Sequence, residues 1–259
     1  MLDFQQIKEG YPEQLQVFER SILREYLQVK ILHAIFESDH AARLSFLGGT
    51  ALRIVYDNTR FSENIDLDNL GLSWEGLGEV VQSVKRFMEL EGFEVEIRQV
   101  SRGAYRCYLR FPELLFEQGL SPHQAEKILI QIDTAAQGYE YQPEIRILNK
   151  FDVFTEIRVT PQDILLSQKI FTAVNRERPK GRDFYDITFL LGRTTPDYGF
   201  LEQKMGLSDP ETLREKVIEE IKAYDFEELA ADVAPFLIST DQVQRVTRFR
   251  TFWEQTRLA

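Results

Sequence analysis

Apolar side chains recur at helical spacing through residues 14–38, at Leu15, Phe18, Ile22, Tyr26, Val29, Leu32 and Phe36. That period predicts a long amphipathic helix. A short apolar run, Leu44–Leu47, then reads as a buried strand. Gly48-Gly49 follows as a turn, with a helix over 50–56. Residues 65–70 alternate apolar and acidic positions, the pattern of a half-open strand. The periodicity predicts a helix over Trp74–Leu90, closed by Gly92. It predicts strands over 93–99 and Ala104–Phe111, flanking a turn at Ser101-Arg102-Gly103. Residues 127–134 alternate as a strand that puts Asp133 near its end, and 144–148 and 155–159 are further strand predictions.

The pattern changes after Pro161. Thr160-Pro161-Gln162-Asp163 opens a helix, with Thr160 as the expected cap and proline in the first turn. From there helical periodicity continues through Trp253. The expected fold class is therefore α+β: a mixed sheet with flanking helices over 1–159, and an all-helical domain over 160–259 that would close a cleft. No internal repeat, low-complexity tract or flexible linker interrupts the chain.

At 259 residues and 43% hydrophobic content the chain can bury a substantial core. No apolar run approaches the about 20 residues that a membrane helix needs. The first ten residues lack a basic-then-apolar signal pattern, so a cytoplasmic location is expected. A single cysteine, Cys107, leaves no internal disulfide and reads as a packing residue. Three histidines and one cysteine argue against a zinc site, so any metal should be a hard, oxygen-bound ion such as Mg²⁺. The net charge of −11 argues against a general nucleic-acid coat. Local basic patches nevertheless stand out: Arg98, Arg102, Arg106 and Arg110; the stretch from Lys169 to Arg182; and Arg245, Arg248 and Arg250.

The strongest chemical signal is Phe46-Leu47-Gly48-Gly49-Thr50-Ala51-Leu52 followed by Arg60-Phe61-Ser62-Glu63-Asn64-Ile65-Asp66-Leu67-Asp68. Alternation along a strand would project Asn64, Asp66 and Asp68 together. They would lie beside a glycine turn whose backbone N–H groups can hold a phosphate. The turn could equally be a tight strand–helix connection, and the acids a hydrated strand end. Asp133 is the natural third carboxylate. Lys169, amid apolar neighbours on a helix, either snorkels to water or reaches triphosphate oxygens. Arg176 to Asp186 reads as a basic loop leading into a helix, with Asp183 and Asp186 on one face. A solvated loop with Asp183 as a first-turn cap fits the same letters.

Together these segments resemble the abortive-infection AbiEii/AbiGii toxin nucleotidyltransferases of the DNA-polymerase-β-like superfamily. The likeness rests on Gly-Gly-Thr-Ala-Leu, the Arg-Phe-Ser-Glu-x-Ile-Asp-Leu strand, the helical lysine and the Lys-Gly-Arg-Asp-x-x-Asp helix, and it spans 48–186. The resemblance implies a nucleotidyltransferase-like N-terminal domain. It implies Mg²⁺-dependent transfer of a nucleoside monophosphate from an NTP to an acceptor, above all the tRNA 3′ end. The chain would be the toxin of a type IV pair with a cognate antitoxin. Related MenA-type toxins imply addition of pyrimidine nucleotides to tRNA, which blocks charging.

Carried over by position, Gly48, Gly49, Thr50, Arg60, Ser62, Asn64, Lys169, Arg182, Asp183 and Asp186 would bind nucleotide. Asp66, Asp68, Asp133 and Lys169 would be catalytic, with Asn64, Asp66 and Asp68 at the metal. The chain departs from the family at Asn64-Ile65-Asp66, where Asp-x-Asp is common. Either Asp68 supplies the lost carboxylate, or the chain is a catalytically impaired module that binds NTP or a partner.

Overall fold

The computed structural model describes residues 2–259 apart from Gly103. It divides into two compact units. The first is Met1–Tyr56, Phe61–Gly138 and Gln142–Val159; the second is Asp57–Arg60, Tyr139–Tyr141 and Thr160–Ala259.

The first unit contains, in chain order, α1 (Phe4–Glu9), α2 (Glu19–Phe36), β1 (Leu44–Leu47), α3 (Gly48–Val55), β2 (Ile65–Asn69), α4 (Trp74–Leu90), β3 (Glu96–Arg102), β4 (Ala104–Phe111), α5 (Leu114–Glu117), β5 (Ile128–Ala135), β6 (Glu144–Lys150) and β7 (Val153–Val159). The strands form one sheet in the order β3-β4-β5-β2-β1-β7-β6. The β2–β5 and β1–β7 pairs are parallel and the others antiparallel, so the sheet is mixed. Ile65 and Leu67 of β2, and Ile128, Ile130 and Ile132 of β5, are buried. Helix α2 packs on β7 and α4, burying a mostly apolar side that also carries Glu25, Gln28 and Lys30. The opposite face of β2 and β5 carries Asp66, Asp133 and Gln131, only partly covered. Alternation thus separates a sealed core face from a chemically loaded one.

Several boundaries follow local chemistry. Helix α4 starts where Ser73 accepts a hydrogen bond from the Gly76 N–H at 3.2 Å. Helix α3 begins at Gly48 rather than after the glycines. Strand β2 begins at Ile65, so Asn64 precedes the strand instead of sharing its alternation. Strand β3 runs to Arg102, and the tip of the expected turn, Gly103, lies outside the described residues.

The second unit contains α6 (Gln162–Asn175), α7 (Gly181–Leu191), α8 (Tyr198–Met205), α9 (Pro210–Glu220), α10 (Phe226–Val233), α11 (Gln244–Thr247) and α12 (Phe249–Gln255). Asp197, Asp209 and Asp225 cap α8, α9 and α10, and Pro210 takes the first position of α9. Thr160 does not cap α6. Pro161 holds the cap position, and the Thr160 hydroxyl pairs with that of Tyr141 at 2.8 Å. Phe184, Phe226, Phe249 and Trp253 build an aromatic core, with Phe184 and Phe249 centroids 4.9 Å apart.

Candidate functional site

Sheet register brings the chemistry of the first unit into one row. Leu47 of β1 lies opposite Asp66 of β2, Asp66 beside Asp133 of β5, and Asp133 opposite Arg106 of β4. Cross-strand partners point to the same face. The row therefore runs from the β1–α3 turn through two neighbouring carboxylates to an arginine.

The turn end is shaped by Gly48. Its φ of +79° is a backbone state that side-chain-bearing residues avoid. A Cβ there would fall 2.8 Å from Asp66 Cγ, so the glycine lets the Asp66 carboxyl sit directly against the start of α3. At the N-cap stands Leu47, whose side chain offers no hydrogen bond to the first turn. The N-cap residue thus leaves the first-turn N–H groups to other partners, and such a helix start suits an anion. The Thr50 hydroxyl is engaged: it donates to the Asn64 carbonyl and ties α3 to the entry of β2. Gln28 on α2 donates its amide to the carbonyls of Ser62 (3.1 Å) and Glu63 (2.9 Å). The loop that delivers Asp66 is therefore held from two sides.

The carboxylates differ in their surroundings. Asp68, in register with Ala135, is buried and accepts the Gln137 N–H at 2.9 Å. Asp133 is partly open. It accepts from Gln131 Nε2 at 2.6 Å, and Arg106 Nε stands 3.3 Å from its Oδ1 as an ion pair. That oxygen is buried and no donor is aligned on it as a hydrogen bond. Among the described residues, no three His, Cys, Asp or Glu side chains gather closely enough to hold a metal ion by themselves.

The second unit collects Arg60, Lys169, Asp183 and Asp186 into a buried charge network. Asp186, fully buried, accepts from Asn58 Nδ2 (2.9 Å) and Arg60 Nε (2.7 Å) on one oxygen. Its other oxygen meets Arg60 Nη2 at 2.6 Å and Lys169 Nζ at 2.8 Å. Lys169 also reaches Asp183 at 3.1 Å, and Arg176 reaches the second oxygen of Asp183 at 2.7 Å. Burial works against every charge here. For Asp186, Arg60 and Lys169 outweigh it and hold the carboxyl down at about 2. For Lys169, burial is likewise outweighed by Asp186 and Asp183, and its pKa is raised. Gly181 has a different duty: a Cβ would strike the Leu229 carbonyl of α10, and the Gly181 N–H donates to Asp232 at 3.0 Å. Arg182 is half-buried on α7.

The expected site residues thus fall into two sets. Gly48, Gly49, Thr50, Ser62, Asn64, Asp66, Asp68 and Asp133 belong to the sheet unit. Arg60, Lys169, Arg182, Asp183 and Asp186 belong to the helical unit. Sequence reasoning did not single out Asn58 or Gln28; neither carries a motif, and both are defined by partners distant in the chain. Arg106 was legible only as one of several arginines. Cys107 is buried, and desolvation pushes its thiol up to about 12, as suits a packing residue.

Comparison with known proteins adds an independent line. The family description "Nucleotidyl transferase AbiEii toxin, Type IV TA system" matches residues 30–254. A solved H. pylori protein assigned as a nucleotidyltransferase shares 16% identity, covering 92% of this chain and 96% of its own, with a TM-score of 0.52. A second, JHP933 from Helicobacter pylori, shares 17% identity over 91% of this chain and 95% of its own, with a TM-score of 0.49. The likeness to the first is one of fold. No curated protein matches the chain.

Proposed function

The chain belongs to the AbiEii nucleotidyltransferase toxin family of type IV toxin–antitoxin systems, and we propose that it transfers a nucleoside monophosphate from an NTP to the 3′ end of a tRNA with the help of Mg²⁺. The observation that carries this reading is the register of Asp66 with Asp133 on parallel neighbouring strands, beside the Gly48 turn.

The donor set fits Mg²⁺ of a particular kind. Mg²⁺ commonly takes one or two carboxylates plus substrate phosphates and waters, not a closed protein cage. Two adjacent carboxylates, with no cluster of three His, Cys, Asp or Glu among the described residues, match that habit. Asp66 and Asp133 would hold the ion, and it would neutralise the triphosphate and favour the alkoxide form of the acceptor hydroxyl. The first turn of α3 would hold phosphate oxygens through its N–H groups. Gly48 keeps Asp66 pressed against that turn, so phosphate and carboxylate face a shared point. Asp133, whose side chain is partly open, is the carboxylate that would receive the acceptor proton. Asp68 accepts the Gln137 N–H and braces the ends of β2 and β5. In the helical unit, Lys169, Asp183, Asp186 and Arg60 neutralise one another.

One observation favours a second reading. Asn64 precedes the strand and Asp68 is already engaged, so the site has fewer charged ligands than an Asp-x-Asp strand supplies. A chain that binds NTP without turnover would follow from that deficit. Incubation with labelled NTPs and total tRNA separates the two. Label in RNA, lost in Asp66→Ala, supports transfer; tight nucleotide binding with no product supports the impaired module. A family antitoxin is the expected partner, and among the described residues no helix is long and apolar enough to cross a membrane.

A further inference from the structure

The carboxylate row ends at Arg106, and the same face continues past it. On β4, Arg106, Tyr108 and Arg110 alternate with the buried Cys107 and Leu109. On β3, Arg98 lies opposite Tyr108. Cross-strand and i, i+2 neighbours share a face. Arg98, Arg106, Tyr108 and Arg110 therefore form one strip that leads away from Asp133. Arg98 and Arg106 are exposed, and Tyr108 and Arg110 are half-exposed. Lys127 and Glu96 at its far end pair at 2.7 Å and add no net charge. A concentrated positive strip on a chain of net charge −11 is a local feature, not a reflection of composition.

We propose that this open face of β3 and β4 is the acceptor-strand surface, and that it binds the single-stranded 3′ segment of an RNA. The inference rests on the transfer reading for the word acceptor, and on geometry for the place. The phosphate-accepting turn lies at one end of the row and the arginines at the other, with Asp133 between them. A nucleotide held at the Gly48 end leaves the Arg106 end for the second substrate. Arginines give bidentate contacts to phosphodiester oxygens. Tyr108, flanked on its strand by Arg106 and Arg110, offers a ring on which an unpaired base can stack. Arg106 joins the strip to the carboxylate row through its ion pair with Asp133 at 3.3 Å.

The test uses the full chain and a fluorescent single-stranded RNA of about a dozen nucleotides, which spans a strip of this kind. Binding is read by anisotropy over a salt series without nucleotide. Arg98→Ser/Arg110→Ser should weaken binding about tenfold and flatten the log K against log salt slope by about 1.4, or about 0.7 for each lost phosphate contact. Lys216→Ser/Lys222→Ser makes the same charge change on exposed lysines elsewhere and should move neither value. Arg98→Lys/Arg110→Lys should restore the slope, which shows that charge, not folding, was lost. Equal effects of the two serine pairs, wild-type binding in Arg98→Ser/Arg110→Ser, or equal competition by polyglutamate would each overturn the proposal. RNA labelling with undiminished affinity in the arginine variant would sink the surface and leave the transfer reading. RNA binding that depends on Arg98 and Arg110, with no label incorporated, would do the reverse.

Discussion

Replacing Asp186 by alanine probes the buried network of the helical unit. The carboxylate is fully buried and faces four donor nitrogens at 2.6–2.9 Å. Lys169 keeps Asp183 at 3.1 Å after the change, so the cost concentrates on Arg60, which is only 1% exposed. Arg60 loses the carboxylate that meets both its Nε and its Nη2. Removing one partner of a buried pair costs about 3–5 kcal/mol, because the other charge stays desolvated. Whole-domain stabilities are about 5–15 kcal/mol, so the loss should be a large fraction of what holds this unit folded. Trp253 is buried in the helical unit, whereas Trp74 is half-exposed in the sheet unit. In a Trp74→Phe background, tryptophan fluorescence during urea unfolding therefore follows the helical unit. The expected result is a midpoint shift corresponding to at least about 3 kcal/mol at unchanged slope. Adding Arg60→Met should recover part of the loss, since the desolvated guanidinium that Asp186 had offset is gone. A loss below about 1 kcal/mol, the range of exposed pairs, would refute the reasoning.

The same carboxylate predicts an acid limit. Its folded pKa lies below the usual value, so its contribution is present above about 4 and disappears as pH falls towards about 2. Asp186→Asn should flatten the stability–pH curve in that window. Gly48→Ala adds a Cβ where φ is +79° and Asp66 is in the way. It should cost about 1–3 kcal/mol in strain and weaken NTP binding, measured by unfolding and by nucleotide titration. Gly181→Ala places a Cβ into the Leu229 carbonyl of α10, so the helical-unit transition should drop by more than about 2 kcal/mol while the sheet-unit transition holds.

Much of the architecture was readable along the chain because its causes are local. Trp74–Leu90 has an apolar stripe and a serine cap, and both are visible in the letters. The α+β division follows from a change of period at Pro161. The strand carrying Asp66 was legible as alternation, and Gly48-Gly49 as a turn. What the letters lack is adjacency. That Asp133 stands beside Asp66, and Arg106 beside Asp133, depends on which strands pair and in what register. Asp186 meets Arg60 across 126 residues of sequence, and no local signal marks Asp57–Arg60 as part of the helical unit. Lys169 shows the limit most clearly: its apolar neighbours suggested snorkelling or a phosphate, and its ammonium meets two aspartates on the next helix. Thr160 reads as a cap by residue type and proximity to proline, yet Tyr141 claims its hydroxyl.

The account depends most on Asp66 and Asp133 jointly holding a divalent ion with a triphosphate. Calorimetric titration of NTP into the protein, with Mg²⁺ and with EDTA, tests this without requiring turnover. Nucleotide affinity should be strongly Mg²⁺-dependent in the wild type, and that dependence should vanish in both Asp66→Asn and Asp133→Asn. Mg²⁺-dependent binding that survives both substitutions would contradict it.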